Sequence, residues 1–339
     1  MPAIRHLRFP CPDDRRRAIA GRFAAALAVC QMLVLSACST APRTWQESGG
    51  ASHPLVGQIY RVADGRPVRE ADLFEAAAAA DFVLIGERHG NRDHHRLQAE
   101  IVSALQRDAR RPRAVAFEMI AAERQLDLVE YLDAHPGDVA GLGAAVDWAA
   151  SGWPDWGLYQ PIAGAALANG AQIVAADLSE EQKRAVFDRG AQGLRRSFVR
   201  RTGLDRDFAL ALTSDLRDEL RDVHCAKVPP EALSGMYQVQ RARDAMLADR
   251  LAAASGTAGG ILIAGNGHVR NDRGVPWYLA RLKPTARTLS IALVEVQDDQ
   301  RRPPADLPYD YVWFTARVAD GQDPCAANQG APQRLGSSG

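Results

Sequence analysis

The sequence contains few cysteines, few aromatic residues and no excess of either charge. Only five of its 339 residues are cysteine, and aromatic residues make up 6%. The 41 Lys and Arg residues balance 41 Asp and Glu residues. A balanced charge does not provide the basic surface that binds nucleic acid, so nucleic acid is not an expected partner. The sequence also lacks H-E-x-x-H, P-loop, Gly-x-Ser-x-Gly and paired C-x-x-C motifs, which leaves the common hydrolase and nucleotide-binding templates without support.

The long apolar run of the chain lies at the amino terminus. Residues 23–35 are mostly apolar, follow a basic segment, and are too few to span a bilayer comfortably. Leu35-Ser36-Ala37-Cys38 then resembles a bacterial lipobox, in which the cysteine thiol is diacylated and the chain is cut before it. We predict a signal peptide over residues 1–37 and a lipid anchor on Cys38. An ordinary secretory signal and an uncleaved anchor helix are the alternatives.

The predicted compartment is the bacterial cell envelope. Ser39 follows Cys38 where an Asp would favour retention in the inner membrane, so the outer membrane is the expected location. In that oxidising compartment Cys225 and Cys325 either form a disulfide or remain two free thiols, and both possibilities stay open. Residues 1–37 contain six Arg and two Asp, so the remaining 302 residues keep 35 basic and 39 acidic residues.

Six apolar runs predict the strands of an α/β domain. They cover residues 82–86, 114–118, 172–176, 261–265, 288–296 and 309–315. The first four are short, apolar on both faces and separated by helical patterns, which is typical of a mainly parallel central sheet flanked by helices. A helix over residues 93–109, with Asp93 as its N-cap, is predicted to follow the first strand.

The helical patterns between the third and fourth strands are unusually long for a crossover. Residues 180–255 contain charged helical patterns and no convincing strand, which predicts a helical subdomain inserted between the third and fourth core strands. The predicted organisation is a tether over residues 38–54, an α/β domain over residues 55–316 that includes this insertion, and a mobile tail over residues 317–339.

Two Gly-x-x-His motifs each follow an apolar strand. Gly86-Glu87-Arg88-His89 ends the first predicted strand, and Gly265-Asn266-Gly267-His268 ends the fourth. The carboxyl ends of parallel strands meet at one edge of a sheet, where open α/β folds bind ligands. Glu118 and Asp177 end the second and third strands. We therefore expect Glu87, His89, Glu118 and His268 to share one crevice.

These strand-end residues allow a functional and a structural interpretation. Two carboxylates and two imidazoles can bind a divalent cation or provide acid and base groups around a ligand. Each histidine alone is more often a hydrogen-bonded structural residue, and the carboxylates can instead cap the following helices. The remaining histidines, His94, His95, His135 and His224, are expected to be exposed.

Several motifs together resemble the ChaN family, over about residues 55–300. The motifs are Leu84-Ile85-Gly86-Glu87-Arg88-His89, His94-His95-Arg96-Leu97-Gln98, Ala116-Phe117-Glu118-Met119, Asp147-Trp148 with Trp153-Pro154 and Tyr159, Arg243-Asp244-Ala245-Met246, and Gly265-Asn266-Gly267-His268-Val269-Arg270. ChaN proteins are bacterial lipoproteins implicated in haem binding, in a superfamily with Tiki, TraB and erythromycin-esterase-like proteins. The resemblance implies an α/β core with a helical subdomain, haem as ligand and a role in iron acquisition.

The resemblance also implies candidate partners. They are haem, the membrane that holds the lipid anchor, a second protomer that shares the haem site and an outer-membrane haem receptor. Other branches of the superfamily use Gly-x-x-His and Glu residues for metal-dependent hydrolysis. This alternative, a metal-dependent hydrolase, maps its metal ligands onto Glu87, His89, Glu118 and His268, with Glu87 and His268 as catalytic residues. Arg88 stands where many relatives carry a smaller residue.

A haem site needs an axial ligand, apolar walls and cations for the propionates. Tyr237 and Arg241 lie one turn apart in a predicted helix, and Tyr159 lies near Trp148, Trp153 and Trp156. The candidate haem-binding residues are Tyr237, Arg241, Tyr159, His89, His268 and Arg270.

Overall fold

The computed structural model describes residues 43–107, 112–224, 227–304 and 306–319. The predicted signal peptide, Cys38, Cys225, Cys325 and residues 320–339 lie outside this part of the chain. Within it, no helix is both long and apolar enough to cross a membrane. The described residues from Trp45 onward belong to one compact unit.

One eight-stranded sheet forms the centre of the domain. In chain order its strands are β1 (Ile59–Arg61), β2 (Arg66–Val68), β3 (Phe82–Glu87), β4 (Ala114–Ala121), β5 (Ile173–Asp177), β6 (Gly260–Gly265), β7 (Thr288–Glu295) and β8 (Tyr311–Thr315). Their order across the sheet is β2-β1-β8-β7-β3-β6-β4-β5. Every residue of β3 and β6 is buried, because both strands lie inside the sheet and both faces are covered.

The sheet is mixed. The pairings from β5 through β4, β6, β3 and β7 to β8 are all parallel, whereas β1 pairs antiparallel with both β8 and β2. The α/β class agrees with the expectation from the sequence. The expectation of a mainly parallel sheet was wrong, because β1 and β2 add an antiparallel edge and make the sheet mixed. Strands β1 and β2 were not predicted, because each has only three residues and neither forms an apolar run.

Ten α-helices flank the sheet within the described residues. They are α1 (Glu70–Ala79), α2 (Arg92–Leu105), α3 (Gln125–Ala134), α4 (Val139–Ala145), α5 (Gln160–Leu167), α6 (Glu180–Arg189), α7 (Arg196–Thr202), α8 (Leu210–Val223), α9 (Pro230–Ala254) and α10 (Val275–Leu282). The described residues between β5 and β6 form no strand and include α6 to α9.

Two hydrophobic cores lie on opposite faces of the sheet. Val83 and Ile85 of β3 pack in the core that includes side chains of α1 to α5. Phe82 and Leu84 of the same strand pack in the core that includes side chains of α6 to α10. The alternation follows from the two-residue period of a strand. Helix α9 is one of the helices that cover the second face.

The N-cap of helix α2 lies two residues earlier than predicted, and the helix ends at Leu105 rather than at residue 109. Its N-cap is Asn91, whose side chain accepts hydrogen bonds from the backbone N–H groups of Asp93 and His94 at 2.9 and 3.1 Å. The expected N-cap, Asp93, instead lies in the first turn. Its carboxylate accepts the backbone N–H groups of Gln46 and Glu47, so this part of the predicted tether contacts the domain.

Candidate functional site

The two Gly-x-x-His motifs meet because β3 and β6 are parallel neighbours. Glu87 pairs in register with Gly265. A Cβ atom on Gly86 would lie 2.3 Å from Oδ1 of Asn266, and one on Gly265 would lie 3.0 Å from Nε2 of His89. Glycine is therefore required at Gly86 by the close approach of the other motif, and His89 lies beside the end of β6.

Glu87 is the centre of the first group of strand-end side chains. Its Oε1 atom lies 2.8 Å from Nδ1 of His89 and accepts a 2.9 Å hydrogen bond from the hydroxyl of Tyr159. Its Oε2 atom lies 3.1 Å from Nδ1 of His95. The second nitrogen of His95 donates to the carbonyl of His89 at 2.8 Å. Glu87 thus organises side chains from the loop after β3, from α2 and from the turn before α5.

Burial and the neighbouring imidazoles set the ionisation of this group. Burial opposes the charge on Glu87, but His95 and His89 outweigh it and lower the pKa of Glu87 to about 2. Burial and the adjacent Glu87 raise the pKa of Tyr159 far above its usual value. Tyr159 therefore remains a phenol that donates to a carboxylate.

His94 supports the loop that carries His89. Its Nδ1 atom accepts the backbone N–H of Arg88 at 2.9 Å, and its Nε2 atom donates to Oγ1 of Thr315 at 2.8 Å. Burial lowers the pKa of His94 to about 3, so the ring is neutral. His94 and His95 are both buried, and the expectation that they are exposed was wrong. Both residues lie in the first turn of α2, where their side chains pack beneath the loop that carries His89.

Glu118 is the centre of the second group. Its Oε2 atom accepts the backbone N–H of Gly265 at 2.7 Å. Its Oε1 atom accepts a 2.7 Å hydrogen bond from Nη2 of Arg243 and lies 3.2 Å from Nε2 of His268. Nδ1 of His268 lies 2.6 Å from Oδ1 of Asp244. The second group therefore joins the ends of β4 and β6 to α9.

His268 is held as an imidazolium. Burial opposes its charge, but Glu118 and Asp244, one at each ring nitrogen, raise the pKa of His268 to about 10. Burial raises the pKa of Glu118, but the positive charges of His268 and Arg243 outweigh burial and lower this pKa well below its usual value. Both members of this contact are charged at neutral pH.

The strand-end residues bind one another and do not form a metal site. No group of three or more His, Cys, Asp or Glu residues in the described part of the chain has the geometry to hold a metal ion. Two of the four proposed ligands already have other partners. Glu118 accepts hydrogen bonds from Arg243 and from the backbone N–H of Gly265, and His268 is a cation that contacts two carboxylates. The predicted divalent-metal set of Glu87, His89, Glu118 and His268 is therefore not supported, and no observation favours the metal-dependent hydrolase.

The other candidate residues lie in different surroundings. Tyr237 is buried in the helical layer, where its hydroxyl lies 3.2 Å from Oγ1 of Thr213. Arg241, also buried, donates to Asp207 at 2.7 Å and to the carbonyl of Leu204. Arg270 forms a two-bond ion pair with Asp272. The structure thus brings His89, Tyr159 and His268 to the strand ends, while Tyr237 and Arg241 make their contacts elsewhere.

An aromatic loop borders the site. The ring of His89 packs edge-on against Trp153, with ring centroids 4.6 Å apart, and Trp148 packs against Tyr159 at 4.9 Å. Trp148 and Trp153 line a cavity of about 440 Å³ at the ends of β4 and β5, together with Arg124 and Lys183. His89 thus lies beside a cavity with indole walls, in which Arg124 pairs with Asp147 and Lys183 pairs with Asp177 and Glu180.

Sequence reasoning missed the roles of His95 and Arg243 in this network. Both were part of the family motifs, but their spacing alone did not indicate a contact with the strand-end carboxylates. The signal that could have found Arg243 was a basic residue in a helix predicted to cover a sheet edge that carries carboxylates.

The fold and the strand-end groups define an α/β protein with a network of buried, charged side chains at the carboxyl edge of its sheet. A protein-family model described as haem-binding uptake, Tiki superfamily, ChaN matches residues 73–279. The chain belongs to this family. The search of curated proteins finds no match.

One solved structure supports the fold, and two others are similar to a lesser degree. The structure of cofacial haem binding to ChaN of Campylobacter jejuni is 20% identical, covers 75% of this chain and 95% of that one, and has a TM-score of 0.59. The type III effector HopBA1 is 16% identical over 78% of this chain and 99% of its own, with a TM-score of 0.43. An erythromycin esterase EreC mutant is 15% identical over 79% of this chain and 82% of its own, with a TM-score of 0.37.

Proposed function

We propose that this ChaN-family protein binds haem at the strand ends and that His89 is the iron ligand. One observation carries the assignment. The side chain of His89 is 32% exposed, whereas those of Glu87 and His268 are 0% and 6% exposed. Within the described residues Nε2 of His89 has no hydrogen-bond partner, so it is the strand-end nitrogen available to a ligand.

Glu87 gives His89 the tautomer that iron binding needs. When neutral His89 donates from Nδ1 to the carboxylate of Glu87, its lone pair lies on Nε2. A carboxylate on the far nitrogen of a metal-binding histidine orients the ring and raises its basicity. Burial opposes a charge on His89, but Glu87 and Glu118 outweigh it and raise its pKa. Protons therefore compete with iron for Nε2 at acidic pH.

The other candidate ligands are less suitable for chemical reasons. Tyr159 is 0% exposed and its hydroxyl donates to Glu87, and burial together with that carboxylate raises its pKa and so disfavours the phenolate that binds ferric iron. His268 is an imidazolium with a carboxylate at each nitrogen and has no free lone pair. Tyr237 is 1% exposed in the helical layer.

The surroundings of His89 fit a ligand with a flat, apolar face. Trp153 contacts the ring of His89, and with Trp148 it walls the adjacent 440 Å³ cavity. The porphyrin iron would supply the coordination bond, and this chain would supply the imidazole and the indole wall.

The proposed setting is the cell envelope. A lipid anchor on Cys38 would hold the domain at the outer membrane, where it would take part in haem or iron acquisition. Partners in this role are a second copy of the chain that completes the haem site and an outer-membrane haem receptor. Support comes from the lipobox-like sequence and from membership of the family.

Titration of the purified full chain with hemin tests the proposal. We expect a saturable change in the Soret band that is lost in His89→Ala and kept in the matched control His135→Ala, which replaces an exposed histidine. Loss on acidification should follow protonation of His89. A saturable spectrum that is the same in His89→Ala would refute this ligand, and the absence of any saturable change would refute haem binding.

A further inference from the structure

A second cavity lies in the helical layer, on the far side of α9 from the strand-end site. It has a volume of about 810 Å³ and is formed by α6, α7, α9 and the turns between them. Arg241 faces this cavity, whereas Arg243, two residues later in α9, binds Glu118 and Asp177. Residues two apart in a helix point roughly 200° apart, so α9 separates the two sites.

Arginine dominates the charge of this cavity. Arg189, Arg196, Arg200 and Arg241 line it, against the two carboxylates of Asp205 and Asp207. Three of these guanidinium groups, those of Arg189, Arg196 and Arg200, have no ion-pair or hydrogen-bond partner among the residues that the structure describes. The cavity therefore keeps a charge of +2 and a set of unused donors.

The fourth guanidinium is built into the floor. Arg241 is 1% exposed, and its head group packs over Phe208 and Tyr237. Nη1 binds Asp207, whose side chain is 73% exposed. Nε of Arg241 is buried with no hydrogen-bond partner among the described residues. Nη2 of Arg241 donates to the carbonyls of Leu204 and Arg206, so Arg241 is a fixed positive charge in the floor. The free donors of the cavity belong to Arg189, Arg196 and Arg200, which are exposed.

We propose that this arginine cavity binds a phosphate-bearing anion. Guanidinium groups hold tetrahedral oxyanions through paired N–H donors, and a dianionic phosphate matches the charge of +2. Gln192 and Gln238, which also line the cavity, can donate to the remaining oxygens. The phosphate can belong to a soluble compound or to a lipid headgroup. This site uses none of the residues proposed to hold haem, so it does not depend on that function.

Calorimetric titration of the full chain in detergent with inorganic phosphate and pyrophosphate tests the soluble source. We expect saturable binding that weakens about tenfold or more in the Arg196→Ala/Arg200→Ala variant, because two charge-assisted contacts are lost. Arg196→Lys/Arg200→Lys should recover part of it. Arg184→Ala is the matched control, since Arg184 is an exposed arginine of α6 that does not line the cavity.

Flotation with vesicles tests the lipid source. Binding to phosphatidylglycerol vesicles but not to phosphatidylcholine vesicles, lost in the Arg196→Ala/Arg200→Ala variant, would assign the site to a lipid phosphate. Retained folding of each variant is checked by circular dichroism. Absence of saturable binding to phosphate, pyrophosphate and phosphatidylglycerol vesicles would overturn the proposal, as would an equal loss in Arg184→Ala.

Discussion

Nη2 of Arg243 lies 2.7 Å from Oε1 of Glu118 and also 2.9 Å from Oδ2 of Asp177. One guanidinium from α9 thus neutralises carboxylates of two adjacent strands, Glu118 within β4 and Asp177 at the end of β5. Both carboxylates are buried, at 1% and 3% side-chain exposure. The helical layer is held to the sheet edge by charge as well as by the apolar core.

Replacing Arg243 should therefore destabilise the fold strongly. Arg243→Met leaves Glu118 and Asp177 buried with less compensating charge, and we expect a loss of about 3–5 kcal/mol in the free energy of unfolding. Urea denaturation measures it. The control is Arg201→Met, which removes a bidentate pair with Asp249 at the surface and should cost about 0–1 kcal/mol. Equal losses in the two variants would contradict the assigned role of Arg243.

The charge on His268 should make stability depend on pH. Its pKa is about 10 in the folded chain and 6.5 without such contacts, since Glu118 and Asp244 overcome the effect of burial. Its stabilising contribution is complete below pH 6.5 and declines as the pH rises through 10, because only the folded state holds the proton in that interval.

Urea denaturation between pH 6.5 and 10 tests this dependence on His268. The free energy of unfolding should fall more steeply for the natural chain than for His268→Gln. Parallel curves for the two proteins would show that the proton on His268 contributes nothing.

Gly86 should tolerate no side chain. A methyl group there would meet Oδ1 of Asn266 at 2.3 Å and Cγ2 of Val269 at 2.6 Å. We expect Gly86→Ala to lose about 1–3 kcal/mol of stability through overpacking and to weaken hemin binding by displacing the loop that carries His89. In the control, Gly90→Ala, a methyl group meets nothing within 4 Å. Thermal denaturation of both variants measures the loss of stability. An equal loss of stability in Gly90→Ala would exclude the steric explanation.

Cys38 is predicted to carry the lipid anchor. Cys38→Ala should abolish incorporation of labelled palmitate and shift the protein out of the detergent phase, because the acyl chains supply the membrane affinity. Cys30→Ala, within the predicted signal peptide, should be labelled normally. Unchanged labelling and partitioning of the Cys38→Ala protein would remove the anchor from the proposed function.

The sequence by itself determined the central strands and the chemistry at their ends. Continuous apolar runs indicated β3, β4, β5 and β6, because strands buried on both faces need no polar side. The glycines that end β3 and β6 pointed to the motif loops. Glu87, His89, Glu118 and His268 do lie at one sheet edge, since parallel neighbouring strands end on the same side.

Only the tertiary structure decided which partner each of these side chains takes. His94 and His95 are buried because α2 packs under the motif loop, and Tyr237 faces the helical layer because α9 turns that side away from the sheet edge. His89 keeps Nε2 available because Glu87 contacts only its Nδ1, whereas both nitrogens of His268 contact carboxylates, those of Glu118 and Asp244. These pairings join residues up to 150 positions apart in the chain, and a local pattern carries no information about the distance between such residues.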